Sequence, residues 1–447
     1  MIMDINAVFI RSIVYPMMSI LKGNRILQYL SELKSTEHLP ASSIQDMQKQ
    51  KLTKLIDYCV RYVPAYQQYA DRLSADANDP RELIRQLHIC TKSKLRKNGE
   101  QYISTAADRS KLIPNKTGGS TGEPTQFYMD RFTVEHYEAA RWRALSWWGV
   151  RPGDKVIAIL GNPSEYSQAR LSREKLLKNR IILPGYDLRR EKTAEYARII
   201  NTEKPVYLYG YASAIYLLAK YMEEDKIAIT TPLKCVVTTA ETLYPYQREQ
   251  IERVFGARAV NEYGAKDGGI IAYECPSGHL HLTAENVYAE VIDPVTKQPL
   301  ETGELGELLI TDLNNFSMPR LRYEIGDIAS LSEERCDCGN PLPILGHLEG
   351  RTDDLLLKKS GDAVPGHYFA HIAGNIKGFE KYQIVQKSLD LCQLKIIKND
   401  RFDPKEVEYM VNAIKEKMNG IEVDVIEVSE IPPTKSGKQR LVIREKF

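Results

Sequence analysis

Charge of one sign is missing from this 447-residue chain: 61 basic residues stand against 59 acidic ones. A protein whose main partner is nucleic acid needs a basic surplus, so that class is excluded. A run long enough to cross a bilayer is missing too. The most apolar stretch, Met1 to Leu21, is interrupted by Asp4, Arg11 and Pro16, which breaks any spanning helix. It is read as packing on its own domain or lying on a membrane surface or a partner. No secretory signal is evident, and the seven cysteines (Cys59, Cys90, Cys235, Cys275, Cys336, Cys338 and Cys392) are odd in number. The odd count speaks against a disulfide framework and for a reducing cytoplasm, with the inner membrane face the place where the N-terminus would lie if it does not pack on its own domain. Phenylalanine is scarce beside tyrosine, 9 against 26. Repeats and low-complexity tracts are absent, which excludes solenoids and disordered tails.

What is present is ordinary for a globular protein: 43% hydrophobic and 27% charged residues, in a length that implies more than one domain. Residues 24–100 read as helical, with Leu52, Leu55, Ile56, Cys59, Val60 and Val63 at helical spacing, a start at Pro40 and a stop at Pro64. A helix is predicted over 133–149. From residue 155 strands and helices alternate: strands at 155–160, 206–209, 235–239 and 257–260, helices at 194–201, 212–222 and 245–255. That alternation predicts a mostly parallel sheet flanked by helices, with ligands beyond the carboxyl ends of its strands. After residue 270, strands at 287–292, 306–311 and 322–327 with tight turns predict a barrel-like antiparallel part. Residues 354–447 read as a small α+β domain. The fold class expected is α/β, with a large N-terminal domain and a small C-terminal one.

The densest chemical signal is Asn115-Lys-Thr-Gly-Gly-Ser-Thr-Gly-Glu-Pro-Thr125. Glycines leave the backbone open to a ligand, its N–H groups can cradle an anion, and the hydroxyls add donors. Alone, such a run is as well explained by an exposed loop. A second cluster carries soft ligands: Cys275-Pro-Ser-Gly-His279-Leu-His281, then Cys336-Asp-Cys338-Gly. A Cys-x-Cys knuckle with a Cys and a His from another turn suits tetrahedral zinc in a structural role.

Further segments stand in a set order: Ala240-Glu241-Thr242 after a buried strand, Asn261-Glu262-Tyr263-Gly-Ala-Lys-Asp267, Arg322-Tyr-Glu-Ile-Gly-Asp327, Gly350-Arg351-Thr-Asp353-Asp354 and Pro433-Thr-Lys-Ser-Gly-Lys438. With the Gly-rich loop, this series resembles the adenylate-forming ligases. The likeness is to the phenylacetate–coenzyme A ligase branch, with its capsular-polysaccharide and coenzyme F390 synthetase relatives, and covers the chain from about residue 45 onward. The resemblance implies an adenylation domain at 1–352, with a helical segment over about 1–100 and a zinc-bearing part over about 270–345. It implies a mobile lid domain at 353–447, turning about Asp353. ATP and Mg²⁺ would convert a carboxylic acid to an acyl-adenylate. A thiol, coenzyme A first, or an amine would then take the acyl group.

By the same resemblance, Thr117, Gly118, Gly119, Ser120, Thr121 and Gly122 would hold phosphates. Ala240, Glu241, Glu262, Tyr263, Asp327 and Arg351 would hold adenine and ribose. Lys438 would be the catalytic cation, and Asp267 would hold magnesium where the family has glutamate. His281 fits the family's metal position better than His279, giving Cys275, His281, Cys336 and Cys338 as zinc ligands. Thr125 stands where the wider superfamily has a loop lysine, which leaves the cationic work to Lys438. Trp142, Trp147, Tyr166, Tyr209 and Tyr211 are read as acid-pocket or core aromatics. The role expected is surface-polysaccharide biosynthesis, and the assembly a dimer. The rival readings are a nucleotidyl transferase like coenzyme F390 synthetase, which adenylylates a hydroxyl, and a non-catalytic nucleotide-binding relative.

Overall fold

A computed structural model describes residues 5–71, 79–117, 125–161, 167–185, 188–351, 355–374, 376–434 and 439–445. The N-terminal region is helical, with α1 (Ile5–Phe9), a π turn (Ile10–Val14), α2 (Tyr15–Lys22), α3 (Ile26–Thr36), α4 (Ala41–Tyr62), α5 (Pro64–Gln67), α6 (Pro80–Arg85) and α7 (Lys92–Asn98). Proline sets two of these boundaries as its geometry requires: Pro40 precedes α4, and Pro64 opens α5 at N1. The amphipathic face of α4 buries Leu52, Leu55, Ile56 and Cys59 in the core beneath the antiparallel strands.

A hairpin follows, β1 (Ile113–Lys116) and β2 (Gln126–Met129), then α8 (Arg131–Trp147), whose first turn is capped by the Asp130 carboxylate accepting from Thr133 N. The α/β part runs β3 (Val156–Ile159), α9 (Gln168–Lys178), β4 (Arg180–Leu183), α10 (Thr193–Glu203), β5 (Tyr207–Tyr211), α11 (Ala212–Glu224), β6 (Cys235–Thr239), α12 (Pro245–Phe255) and β7 (Ala259–Ala265). Next come β8 (Gly269–Glu274), β9 (Leu280–Leu282), β10 (Val287–Ile292), β11 (Gly306–Asp312), β12 (Tyr323–Ser332) and β13 (Ile344–Arg351).

These strands form one eleven-stranded sheet, ordered β10-β11-β12-β13-β9-β8-β7-β6-β5-β3-β4. The neighbours from β4 to β7 run parallel, and every pair from β7 to β10 is antiparallel. The part expected to be barrel-like is thus joined edge to edge to the parallel half. The physical reason is the tight turn after Ala265, which folds β8 back on β7 as a hairpin rather than releasing the chain into a second sheet. Val236 and Val237 are fully buried, as a central parallel strand covered on both faces requires.

The C-terminal part holds β14 (Leu355–Leu357), β15 (Ala363–Pro365), α13 (Gly366–Ala373), β16 (Phe379–Gln386), β17 (Leu391–Lys398), α14 (Pro404–Lys417), β18 (Glu422–Glu427) and β19 (Val442–Arg444). It has its own four-stranded sheet, β18-β17-β16-β19, and its own core around Phe369, Leu394, Met410 and Ile414. Among the described residues, no helix is long and apolar enough to cross a membrane.

Candidate functional site

The carboxyl ends of β5, β6 and β7 lie side by side, where an α/β sheet binds its ligands. Ala240, the first residue beyond β6, has φ +69°. A non-glycine residue in this left-handed region is strained, and such strain collects where a loop is held for function. Glu241 follows. Its carboxylate accepts Ser213 N, in the first turn of α11, at 2.8 Å and Gln439 N of the small domain, also at 2.8 Å. The two amides satisfy its oxygens, so Glu241 ties the domains together here, whereas the sequence reading gave it to adenine or ribose.

On β7, side chains alternate between faces. Tyr263 turns to one side and donates its hydroxyl to Asp327 Oδ2 at 2.7 Å. Glu262 turns to the other, where Arg141 Nε, Tyr209 Oη and Thr239 Oγ1 hold its carboxylate at 3.0, 2.6 and 3.1 Å. Glu262 was expected at the adenine or ribose; its buried side chain instead ties α8, β5 and β6 together. Asp267 sits in the β7–β8 turn, buried, with its Oδ2 accepting Tyr323 Oη at 2.6 Å and its backbone carbonyl accepting from Arg320 at 2.9 Å.

Asp327 and Arg351 are directly opposite each other on β12 and β13, their side chains 3.5 Å apart. Each follows a glycine of positive φ, Gly326 at +86° and Gly350 at +117°, a backbone that an L side chain adopts only with strain. Tyr263, Asp327 and Arg351 therefore form one polar wall, with a carboxylate placed to accept two hydroxyl donors such as a ribose diol.

The Gly-rich segment connects β1 to β2 in sequence. Its base is closed by Thr117 N donating to Thr125 O at 3.0 Å and Thr125 N donating to Thr117 Oγ1 at 2.9 Å. Gly118, Gly119, Ser120, Thr121 and Gly122 lie outside the described residues, as do Lys438, the hinge position Asp353, and Tyr166.

Two cations that sequence reasoning missed flank this region, both on α7. Arg96 donates to Thr125 Oγ1 at 3.3 Å, at the loop position where the lysine is missing. Lys92 donates to Ile325 O at 2.5 Å. Burial pulls the Lys92 pKa down, the Arg351 cation acts in the same sense, and Asp267 and Asp327 oppose it. No local sequence signal marks either residue, because α7 reaches the site only through the tertiary fold. Of the aromatic candidates, Trp142 is in the core and Trp147 packs against it, while Tyr209 and Tyr211 stand at the end of β5.

The Cys/His cluster is assembled from two turns. Cys275 directly follows β8, His281 lies on β9, and Cys336 and Cys338 lie in the β12–β13 loop; one donor atom from each falls within 4.8 Å of the others. Cys275 Sγ is 3.5 Å from Cys336 Sγ, and Cys338 Sγ is 3.3 Å from His281 Nε2. His281 Nδ1 lies 2.9 Å from Leu342 O. A proton held there leaves Nε2 as the free lone pair, the arrangement of a metal-ligating histidine. His279 Nδ1 approaches Cys336 Sγ at 3.4 Å but stands at the rim, near Glu334. Burial pushes the Cys338 thiol up to about 12 and raises that of Cys275. Three thiols and an imidazole at this spacing suit a single tetrahedral zinc.

The CapK C-terminal domain family matches residues 356–445. The chain is similar to the phenylacetate-coenzyme A ligase of Thermus thermophilus, 24% identical, over 93% of this chain and 99% of the relative. It is also similar to protein CapK of Staphylococcus aureus, 26% identical, over 80% of each. Among solved structures, 2-hydroxyisobutyryl-CoA ligase in its postadenylation state with 2-HIB-AMP shares the fold, with a TM-score of 0.73 at 19% identity over 92% of this chain and 91% of that one. By these comparisons the chain is similar to the phenylacetate–coenzyme A ligases and CapK over most of its length, and its C-terminal part matches the CapK C-terminal domain.

Proposed function

We propose that the protein activates a carboxylic acid with ATP as an acyl-adenylate and passes the acyl group to a thiol, coenzyme A first. The observation that carries this reading is the bond from Gln439 N to Glu241 Oε1. It sets Gln439, the residue after Lys438, against Glu241 just beyond the carboxyl end of β6. A cation there would meet negative charge building on the α-phosphate as the acid attacks, which is where positioned charge accelerates phosphoryl chemistry most. Asp327 would accept the ribose hydroxyls, with Tyr263 beside the adenine and Arg351 supporting ribose or phosphate. The Gly-rich segment, Thr117 to Gly122, would cradle the β- and γ-phosphates, with Arg96 supplying the positive charge its sequence lacks.

A magnesium ion, when bound, would neutralise phosphate charge. Asp267 would be the carboxylate that holds it, with phosphate oxygens and water completing its shell. Zinc at Cys275, His281, Cys336 and Cys338 would be structural, since four protein ligands leave no open position. Residues 353–447 would act as a lid turning about Asp353 between the two half-reactions. The resemblance to capsule-biosynthesis relatives favours a role in surface-polysaccharide assembly.

Acid-dependent ATP–pyrophosphate exchange over a panel of carboxylic acids tests the reading. At least one acid is expected to drive exchange; silence across a broad panel contradicts it. Mass spectrometry of the products separates an acyl thioester from an adenylylated hydroxyl.

A further inference from the structure

The first helical stretch, α1 through α2, is fastened to the large domain by one side. Ala7 and Ile10 are buried against Gly153, where a Cβ would meet Ala7 O at 3.0 Å and Ile10 Cγ2 at 3.1 Å. Arg11 donates to Pro152 O at 3.0 Å and pairs with Asp154 at 2.7 Å, and Asn6 bonds Asn179 at 3.1 Å. With that side fixed, the opposite side is left outward. It consists of Ile5, Phe9, Ile13, Met17, Ile20 and Leu21, each between 45% and 82% exposed. The first four recur every fourth residue, so they form one continuous stripe along the helix. An apolar stripe of this size is not ordinary protein surface.

The surroundings say what covers it. In sequence, residues 5–25 hold three basic residues, Arg11, Lys22 and Arg25, and no carboxylate, with Arg11 taken up by its pair with Asp154. Helix α9 packs beside the π turn. It carries Arg170, Arg173, Lys175 and Lys178, of which Lys175 pairs with Glu203 and Lys178 with Glu174, and leaves Leu176 69% exposed. Apolar side chains flanked by cations are what an anionic bilayer surface binds: the former enter the acyl boundary and the latter meet the headgroups. A second copy of the chain fits worse, because a two-fold contact would set this basic region against itself.

We propose that this face docks the protein on an anionic lipid surface, with the α1–α2 stripe inserted and α9 against the headgroups. The inference is independent of the ligase reading.

The test is co-sedimentation of the full chain with phosphatidylcholine vesicles, with and without phosphatidylglycerol. Binding is expected only with phosphatidylglycerol, weakening as salt is raised. The triple variant Phe9→Ser/Ile13→Ser/Ile20→Ser alters exposed side chains only. It should keep its melting temperature and lose about tenfold or more in vesicle affinity. Arg173→Gln/Lys175→Gln should weaken binding several-fold while leaving the stripe intact. Absence of sedimentation with anionic vesicles, or a triple variant that binds like the parent, overturns the proposal. So does a concentration-dependent dimer in sedimentation velocity that the triple variant abolishes, which would give the stripe to a second copy.

Discussion

The two candidate ligand sites of the large domain are built in different ways. The Cys/His site takes four side chains from two turns of neighbouring strands, and one donor atom from each already lies within 4.8 Å of the rest. Nothing from another domain is required. The proposed nucleotide site draws on the ends of β6 and β7, a cross-strand pair on β12 and β13, the Gly-rich segment and a helix far upstream, and the cation proposed for it, Lys438, belongs to the C-terminal part. The first is suited to holding an ion in one geometry. Under the proposed lid movement the second would change composition, because the C-terminal part meets the rest through bonds such as Gln439 to Glu241. A static site belongs in a structural role and a divided one in a reaction with two half-steps.

The largest effect that would break this comparison lies on the static side. Cys336→Ser, or removal of metal with a chelator, should cost about 3–5 kcal/mol of stability, since the proposed zinc would unite two turns of the sheet that lose their common ligand. Protein purified without added metal should carry about one zinc per chain; metal analysis and thermal melts check both, and less than about half an equivalent contradicts the site. On the divided side, Asp327→Asn removes a charged acceptor from the ribose wall. It should lower kcat/KM for ATP about tenfold to a hundredfold, the scale of a hydrogen bond to a charged group, with the fold unchanged by circular dichroism.

A pH effect sharpens the contrast further. Burial and the neighbouring Glu307 push the Glu324 carboxyl up to about 7. Its folded pKa lies above its unfolded value, so the folded state binds the extra proton and stability falls as pH rises from about 4.5 to about 7. Allowing for its partial exposure, Glu324→Gln should recover about 1–2 kcal/mol above neutrality and none at pH ~4; chemical denaturation at both pH values reads this. The smallest effect is expected from Arg96→Ala, which should raise KM for ATP about fivefold to tenfold with little change in zinc content. An unchanged KM would remove Arg96 from the phosphate site.

How far each site was legible in the sequence follows from the same contrast. The thiol cluster showed itself by spacing, because Cys-x-Cys and Cys-x₅-His are local patterns and local geometry makes them a site. Strands β6 and β10 and helix α12 were read to the residue, since their apolar runs are bounded by turn and proline signals. Strands β8, β9 and β13 were not read. Their side chains are chosen by a sheet in which both neighbours are distant in sequence, so no period marks them. The proposed nucleotide site is marked in the sequence only by the order of its motifs. That order placed Tyr263, Asp327 and Arg351 together but not the faces on which Glu262 and Glu241 turn. Alternation along β7 assigns Glu262 to a buried network, and a contact across domains assigns Glu241. Lys92 and Arg96 carried no signal, because what matters about them is where α7 is delivered.

The central claim is that the catalyst is divided between the two domains. Acid-dependent ATP–pyrophosphate exchange by Lys438→Ala, measured beside ATP affinity, tests it most directly. The account predicts that exchange falls by about a hundredfold to a thousandfold while ATP affinity changes less than about tenfold. Exchange at the parent's rate in that variant would contradict it.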